Sequence, residues 1–582
     1  MNFLRTYAAV LALLVAAPAS AQWQVPQYSV PTGRGGGVTG FDNAAPGTAG
    51  LPIVSNGPTA KPAFGPVANN GIQPGAANTF KGSLNGSATS DIALTACTLS
   101  YQITKWVAGT GWQCGLNPVL PSRAIAATLD LSAFTSVKTL GHTTPGDGGD
   151  ATLVKIGSAP FKDTYVLTGS VTAGSGYTNG TYLGVRLTSG SGIGCLGKVT
   201  VAGAVVTAVD ISGNYCVAYA VGDVLTITQS DVGGTGTGAA FTIATISTPL
   251  GSFTDTAANR WQITVGGGAW PNVKQFGAKI DWAGTDATAT NDLLSFKSAI
   301  AFANVQNAAA AAFVTGTKLL MPTGAALLCD GGTPFQTLNI PQGVALIGAG
   351  ASGGSTLVQC TASNSSVHFT SLCDPNAQFG QFGCALKDLS LYSPGVGSGG
   401  TYAIYSNSGQ QFPLVDNVFI VTATRGCIFY EIGKGGAANA IFENFDCERS
   451  STSPANAGML INSSNTQVVV RNANFGCAPV NCAAGFHAIN KQAGNLVADT
   501  VHIEQHVDAV GILTASTDLN TLRNFTIGSG CVNGITLGVL NPNNTVLVEN
   551  IQSGCSTATV LNSHAAGVNV TGNIMAQRVF NP

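Results

Sequence analysis

Seven short segments in the last third of the chain repeat one pattern: ALKDLSLY, LVDNVFIV, IFENFDCE, VVRNANFG, ADTVHIE, TLRNFTIG and LVENIQSG. Each sets a polar residue just before a central apolar position. Those polar residues are Asp388, Asn417, Asn444, Asn472, Thr500, Asn524 and Asn550, at intervals of 29, 27, 28, 28, 24 and 26 residues. A period in the twenties built from short strands requires stacked solenoid coils, because a single repeat cannot bury its apolar face alone. A second series begins with a small residue and runs apolar-x-apolar from Gly426, Gly458, Gly485, Gly511 and Gly534, so each coil carries at least two strands. Residues one period apart stack, and the five asparagines of the first column therefore predict a hydrogen-bonded amide ladder at a turn. The leucine spacing of the competing leucine-rich solenoid is absent. The β-branched, glycine-turned coils fit a parallel β-helix.

Composition says where such a coil operates. The chain opens MNFLRTYAAVLALLVAAPASAQ, with Arg5, an apolar run from Ala8 to Ala17, and an A-x-A ending at Ala21. The run is too short to span a bilayer and reads as a signal peptide over residues 1–21. No later segment reaches eighteen uninterrupted apolar residues, so no membrane span is expected and the protein is expected to be secreted, extracellular or periplasmic. The fourteen cysteines fall as close neighbours: Cys97/Cys114, Cys195/Cys216, Cys329/Cys360, Cys373/Cys384, Cys427/Cys447, Cys477/Cys482 and Cys531/Cys555. In an oxidising compartment that spacing suggests disulfides stapling local loops. No C-x-x-C pair occurs, so structural zinc is the weaker reading, and no metal or cofactor is expected. A net charge of -2, with 9% charged residues, excludes the basic stripe that nucleic acid would call for.

Along the chain, residues 22–90 are rich in Pro, Gly, Ala and Asn without periodicity and read as a flexible linker. Residues 91–270 read as a small β domain, with a Gly-rich β insertion at about 166–250 where short strands alternate with turns. The segments around APFKDT and FTDTAANRWQITVGG read as two halves of one interrupted β domain. A helix follows, with Leu293, Leu294, Phe296, Ile300, Ala303 and Val305 near helical spacing and Thr290 or Asn291 placed to cap it. Residues 271–582 complete the β-helix. Trp261 and Trp270 are expected to anchor the junction.

The stretch NVKQFGAKIDWAGTDATA, the helix after it, LLMPTG and IPQGVALIGAG resemble the N-terminal signature of the pectate-lyase-like right-handed β-helix superfamily, in its glycoside-hydrolase-28-related and rhamnogalacturonase/epimerase-like branch. The GDGGDA turn and the Trp261 segment resemble the small domain preceding such β-helices in bacteriophage tailspikes. Asp150 and Trp282 stand where the family pattern carries glycine. The resemblance implies an all-β, right-handed parallel β-helix with an N-terminal capping helix, behind a small β domain. It also implies an extracellular polysaccharide as substrate and, by the tailspike likeness, a homotrimer. The polygalacturonase-type catalytic motifs and the aspartate clusters that bind calcium in pectate lyases are missing here, so the family's catalytic residues do not carry over.

The coil alignment supplies candidates of its own. Asp446 and Glu448 stand two and four positions after Asn444, and His502 and Glu504 stand at the same positions after Thr500. All alternate with inward apolar residues and are expected to face solvent, with Asn474 and Gly476 between them as a groove floor. Two coils separate the pairs by roughly 10 Å, near the roughly 6.5–9.5 Å between the carboxyl groups of inverting glycosidases. Asp446, Glu448, His502 and Glu504 are the expected catalytic residues of a glycoside hydrolase, and a polysaccharide lyase is the weaker enzyme reading. Asn474, Tyr392 and Tyr430 are expected to bind substrate, with Tyr402, Tyr405 and Phe419 divided between surface and core. Solvated charge on an outward face is the plain alternative, and a glycan-binding or structural rod the alternative class. A metal site at His502, Glu504 and His506 is a minor alternative. His487, beside Phe486 and Ile489, is expected to be a packing histidine, and His506 and Asp508 are expected to turn away from His502.

Overall fold

The computed structural model describes residues 118–562, apart from short gaps between strands, and a few strand segments before and after them. Two compact units are present, Met1–Asn117 and Pro118–Pro582. In the first unit, short strands pair antiparallel: Pro31–Gly33 with Phe41–Asn43, Ile53–Val54 with Ala63–Phe64, Thr79–Gly82 with Ser90–Ala93, and Gln102–Val107 with Gly111–Leu116. The expected signal peptide lies outside the described residues.

The second unit opens with a five-stranded sheet in which Ala151–Ile156 pairs with Arg260–Thr264. Residues far apart in sequence thus close one sheet. The intervening chain forms its own six-stranded sheet, from Val166–Thr172 to Ala240–Ile246. Asp255 organises the first sheet: it accepts from the Leu131, Ala257 and Asn259 amides and from Trp261 Nε1 at 3.0 Å. Trp261 is fully buried there, while Trp270 is 38% exposed with Lys318 Nζ 5.5 Å from its ring centroid.

From Thr317 onward the strands form one parallel system in which each pairs with the strand of the next coil. This is a parallel β-helix. The helix Leu293–Ala309 stands before the first coil; Asp292, whose carbonyl accepts from the Phe296 amide at 3.0 Å, holds the cap position expected at Thr290 or Asn291, and Asn291 Oδ1 accepts from the Leu293 amide at 3.1 Å. One inward row runs Leu346, Leu386, Val415, Phe442, Val470, Ala498, Leu522 and Val548, every member fully buried. Stacking of like apolar side chains, coil on coil, is the core.

All seven residues of the repeat column have positive φ, from 47° at Asn472 to 58° at Thr500. The repeat is therefore a left-handed corner, and asparagine and aspartate recur because their short polar side chains tolerate that backbone best after glycine. The amide ladder is present in segments: Asn417 Nδ2 donates to Asp388 Oδ1 (2.7 Å), Asn472 Nδ2 to Asn444 Oδ1 (3.0 Å) and Asn550 Nδ2 to Asn524 Oδ1 (3.1 Å). At Asn444 and Asn524 it sidesteps to Asp416 and Asp499.

Five of the cysteine neighbours are bonded: Cys195–Cys216, Cys373–Cys384, Cys427–Cys447, Cys477–Cys482 and Cys531–Cys555. Cys114 is also in a disulfide, and Cys97 lies outside the described residues. Cys329 and Cys360 are a correction: both are thiols, packed in one apolar cluster with Leu327 and Val358. No helix among the described residues is long and apolar enough to cross a membrane.

Candidate active site on the outer face

Parallel register places the candidate residues in two outward rows. One runs Ser390, Phe419, Asp446, Asn474, His502, Thr526 and Gln552. The other runs Val358, Tyr392, Val421, Glu448 and Gly476. Glu504 continues that second row, because its amide donates to Phe475 O at 2.8 Å just beyond the Phe475–Ile503 pair. Side chains alternate along each strand, so the residues between, Phe445, Cys447, Phe475 and Ile503, fill the core.

Asp446, Glu448 and Glu504 therefore share one face. Asp446 is half-buried, and Asn474 Nδ2 donates to its Oδ1 at 3.1 Å. Burial pushes the Asp446 carboxyl above its ordinary value, and the neighbouring charges of Glu448 and Glu504 push it the same way against the Asn474 hydrogen bond. His502 Nε2 lies 2.6 Å from Glu504 Oε1, with both side chains well exposed. Gly476 leaves the floor open between the two glutamates, since a Cβ there would lie 3.7 Å from Glu448 Oε1. The chain turns at Gln505, whose φ is 59°.

That turn carries His506 inward. It is buried, stacked on Phe486, and its Nε2 lies 3.6 Å from Cys477 Sγ. The expectation that His506 leaves the face of His502 holds, and a metal site joining His502, Glu504 and His506 is excluded by that direction. Asp508 is buried too and accepts from Asn533 Nδ2 at 2.8 Å. Among the described residues, the metal-ligand cluster is Cys477, Cys482 and His506. Its two sulfurs are joined to each other, leaving one imidazole as donor.

The aromatic expectations divide. Tyr392 is 37% exposed and Phe419 half-buried, both outward in the rows just given. Tyr430 is a correction: it is fully buried, edge-on to Phe442, because alternation from Gly426 turns Ile428 and Tyr430 inward and leaves Phe429 outward. Tyr402 and Tyr405 are buried around His368, whose ring stacks on Tyr405 at 4.4 Å. His487 is buried against Gly511. Trp282 was missed as a site residue: its ring lies 5.9 Å from that of Tyr392. An aromatic residue in a polar, glycine-containing loop is the signal that could have found it.

No family model and no curated protein matches the chain. Among solved structures it is similar to Geobacillus virus E2 ORF18, at 12% identity over 55% of this chain and 66% of that one, with a TM-score of 0.30. It is also similar to Pantoea stewartii WceF, a glycan biofilm modifying enzyme with a tailspike-like parallel β-helix fold, at 11% identity over 80% of this chain and 56% of that one (TM-score 0.37). A third is the A-module of the Azotobacter vinelandii mannuronan C-5 epimerase AlgE4, at 14% identity over 52% of this chain and 100% of that one (TM-score 0.25). The chain thus spans less than two thirds of the length of two of these three. The parallel β-helix architecture stands on the chain's own strand register.

Proposed function

We propose that the chain is a secreted polysaccharide-processing enzyme that hydrolyses a glycosidic bond on the outer face bearing Asp446, Glu448, His502 and Glu504. The observation that carries the reading is Asp446: a half-buried carboxyl on an open strand face, its pKa raised first by burial and then by the charges of Glu448 and Glu504. A carboxyl that holds its proton more tightly than an ordinary aspartate, with further carboxylates on the same face, is the arrangement of a general acid. Asp446 gives its proton to the leaving glycosidic oxygen as the bond to the anomeric carbon breaks. Glu504, oriented by His502, takes a proton from the water that adds to that carbon. Glu448 stabilises the positive charge developing on the sugar, and Asn474 fixes Asp446. Asp446 and Glu504 stand two coils apart, about 10 Å at the backbone, which leaves room for a sugar and a water as inversion requires. Disulfides distributed through the described chain support an oxidising, extracellular setting.

The test is substitution of Asp446 by Asn and of Glu448 and Glu504 by Gln, singly, with reducing-end release measured on a glycan panel. Losses of about 100-fold or more are expected for Asp446 and Glu504. Unchanged turnover in all three variants removes the site, and ordered sugar on this face without cleavage assigns binding instead.

A further inference from the structure

The outer face has a built end. In the Glu448 row, Leu327 and Val358 point outward yet are 2% and 1% exposed, because the loop carrying Trp282 and Ala289 packs over them. The loop is fixed at both ends. Trp282 N donates to Ala325 O at 3.0 Å, and Asp281 accepts from Thr290 N and Oγ1 at 2.9 and 2.8 Å. Asn291 bonds both backbone groups of Cys329, at 2.9 and 3.0 Å. Where the cover stops, Trp282 and Tyr392 meet at 40° between ring planes, and the indole Nε1 donates to Asp286 Oδ1 at 3.1 Å. From Tyr392 the row continues through Val421 to Glu448, two coils or about 10 Å on, with Phe419 alongside in the Asp446 row.

The charge of this surface is one-sided. The two rows carry Asp446, Glu448 and Glu504, the loop adds Asp281 and Asp286, and neither row holds a lysine or arginine from Ser390 to Gln552. Recognition of a sugar carboxylate or sulfate calls for such cations. An uncharged pyranose offers instead an apolar ring face to an aromatic platform and hydroxyls to carboxylates at its rim.

We infer that Trp282 and Tyr392 form a preorganised stacking subsite for an uncharged pyranose, and that the face selects neutral glycans over uronate-containing ones; this rests on the glycan-processing reading of the same face. The test uses the full chain. Indole fluorescence of the Glu504→Gln variant is titrated with neutral gluco-, manno- and rhamno-configured hexasaccharides and with hexagalacturonate. Turnover of the neutral probes is then compared in Tyr392→Ala, Tyr392→Phe and Trp282→Phe. At least one neutral probe is expected to perturb the fluorescence, with the change lost in Trp282→Phe. Tyr392→Ala is expected to raise KM about tenfold or more with kcat within threefold, and Tyr392→Phe, which restores the ring, is expected to recover most of that KM loss. Unchanged KM and an unchanged fluorescence response in the aromatic variants, with Glu504→Gln inactive, overturns the subsite and leaves the catalytic reading standing. Tighter binding of hexagalacturonate than of every neutral probe overturns the selectivity. A Tyr392-dependent fluorescence response with no turnover by any variant supports the subsite and sinks the hydrolase reading alone.

Discussion

Asp446 is a half-buried carboxyl facing two like charges, and holding it ionised costs folding stability. Its folded pKa is raised above the unfolded value of 3.8, so its contribution is full below that pH and is lost as pH rises through the folded value. Asp446→Asn is therefore expected to be more stable than the parent at pH 7 and equal to it near pH 3, by denaturant unfolding at both. Asp147 behaves oppositely. Four backbone amides, from His142, Thr143, Thr144 and Gly149, donate to its carboxylate and lower it to about 2 despite some burial. Its stabilisation is present above 3.8 and disappears as pH falls through 2. Asp147→Ala is expected to lose about 1–2 kcal/mol at pH 7, with thermal melts of variant and parent converging as pH approaches 2. The carboxylates of the site were legible in sequence because strand alternation from a fixed corner decides inward from outward. Tyr430 was not, because its direction depends on the second strand of the coil, whose register the first column does not set.

At the scale of the element, one corner breaks its own rule. Thr500 has a φ of 58°, and a β-branched residue pays more for a left-handed backbone than asparagine does. It stands two residues before His502, and strain of this kind concentrates near functional sites. Thr500→Asn is expected to raise stability by about 1 kcal/mol, and Asn472→Val to lower it by a similar amount. Differential scanning calorimetry reads both, and the same sign for the two would refute the corner account. Beside this column runs a row of charges that sequence reading passed over: Lys387, Asp416, Glu443, Arg471, Asp499, Arg523 and Glu549. Lys387 and Asp416 pair at 2.7 Å, and Arg523 and Asp499 at 2.9 Å. The residues are individually ordinary, and only strand register makes them neighbours. The loop over Leu327 and Val358 was hidden for a related reason: it has no periodicity, and what it covers is settled by tertiary packing.

For the whole molecule, a solenoid's stability is a sum of coil terms and contacts between neighbouring coils, so its ends can fail separately. The bonds Cys373–Cys384, Cys427–Cys447, Cys477–Cys482 and Cys531–Cys555 all lie in the middle and later coils, and each is of a kind that contributes about 2–4 kcal/mol. The first coils rely on other means. Cys329 and Cys360 there are thiols. A buried polar chain instead runs from Ser393 Oγ to Gln359 Oε1 (2.6 Å), from Gln359 Nε2 to Thr337 Oγ1 (3.2 Å) and from Thr337 Oγ1 to Asp330 Oδ2 (2.9 Å). Reduction should then act on one end of the rod. In dithiothreitol under native conditions, limited proteolysis read by mass spectrometry is expected to cut first in the coils after residue 370, leaving a fragment that keeps the helix Leu293–Ala309 and the strands through Ser355–Gln359. First cleavage between residues 317 and 360 would show that the helix and the polar chain do not hold the first coils in the way argued.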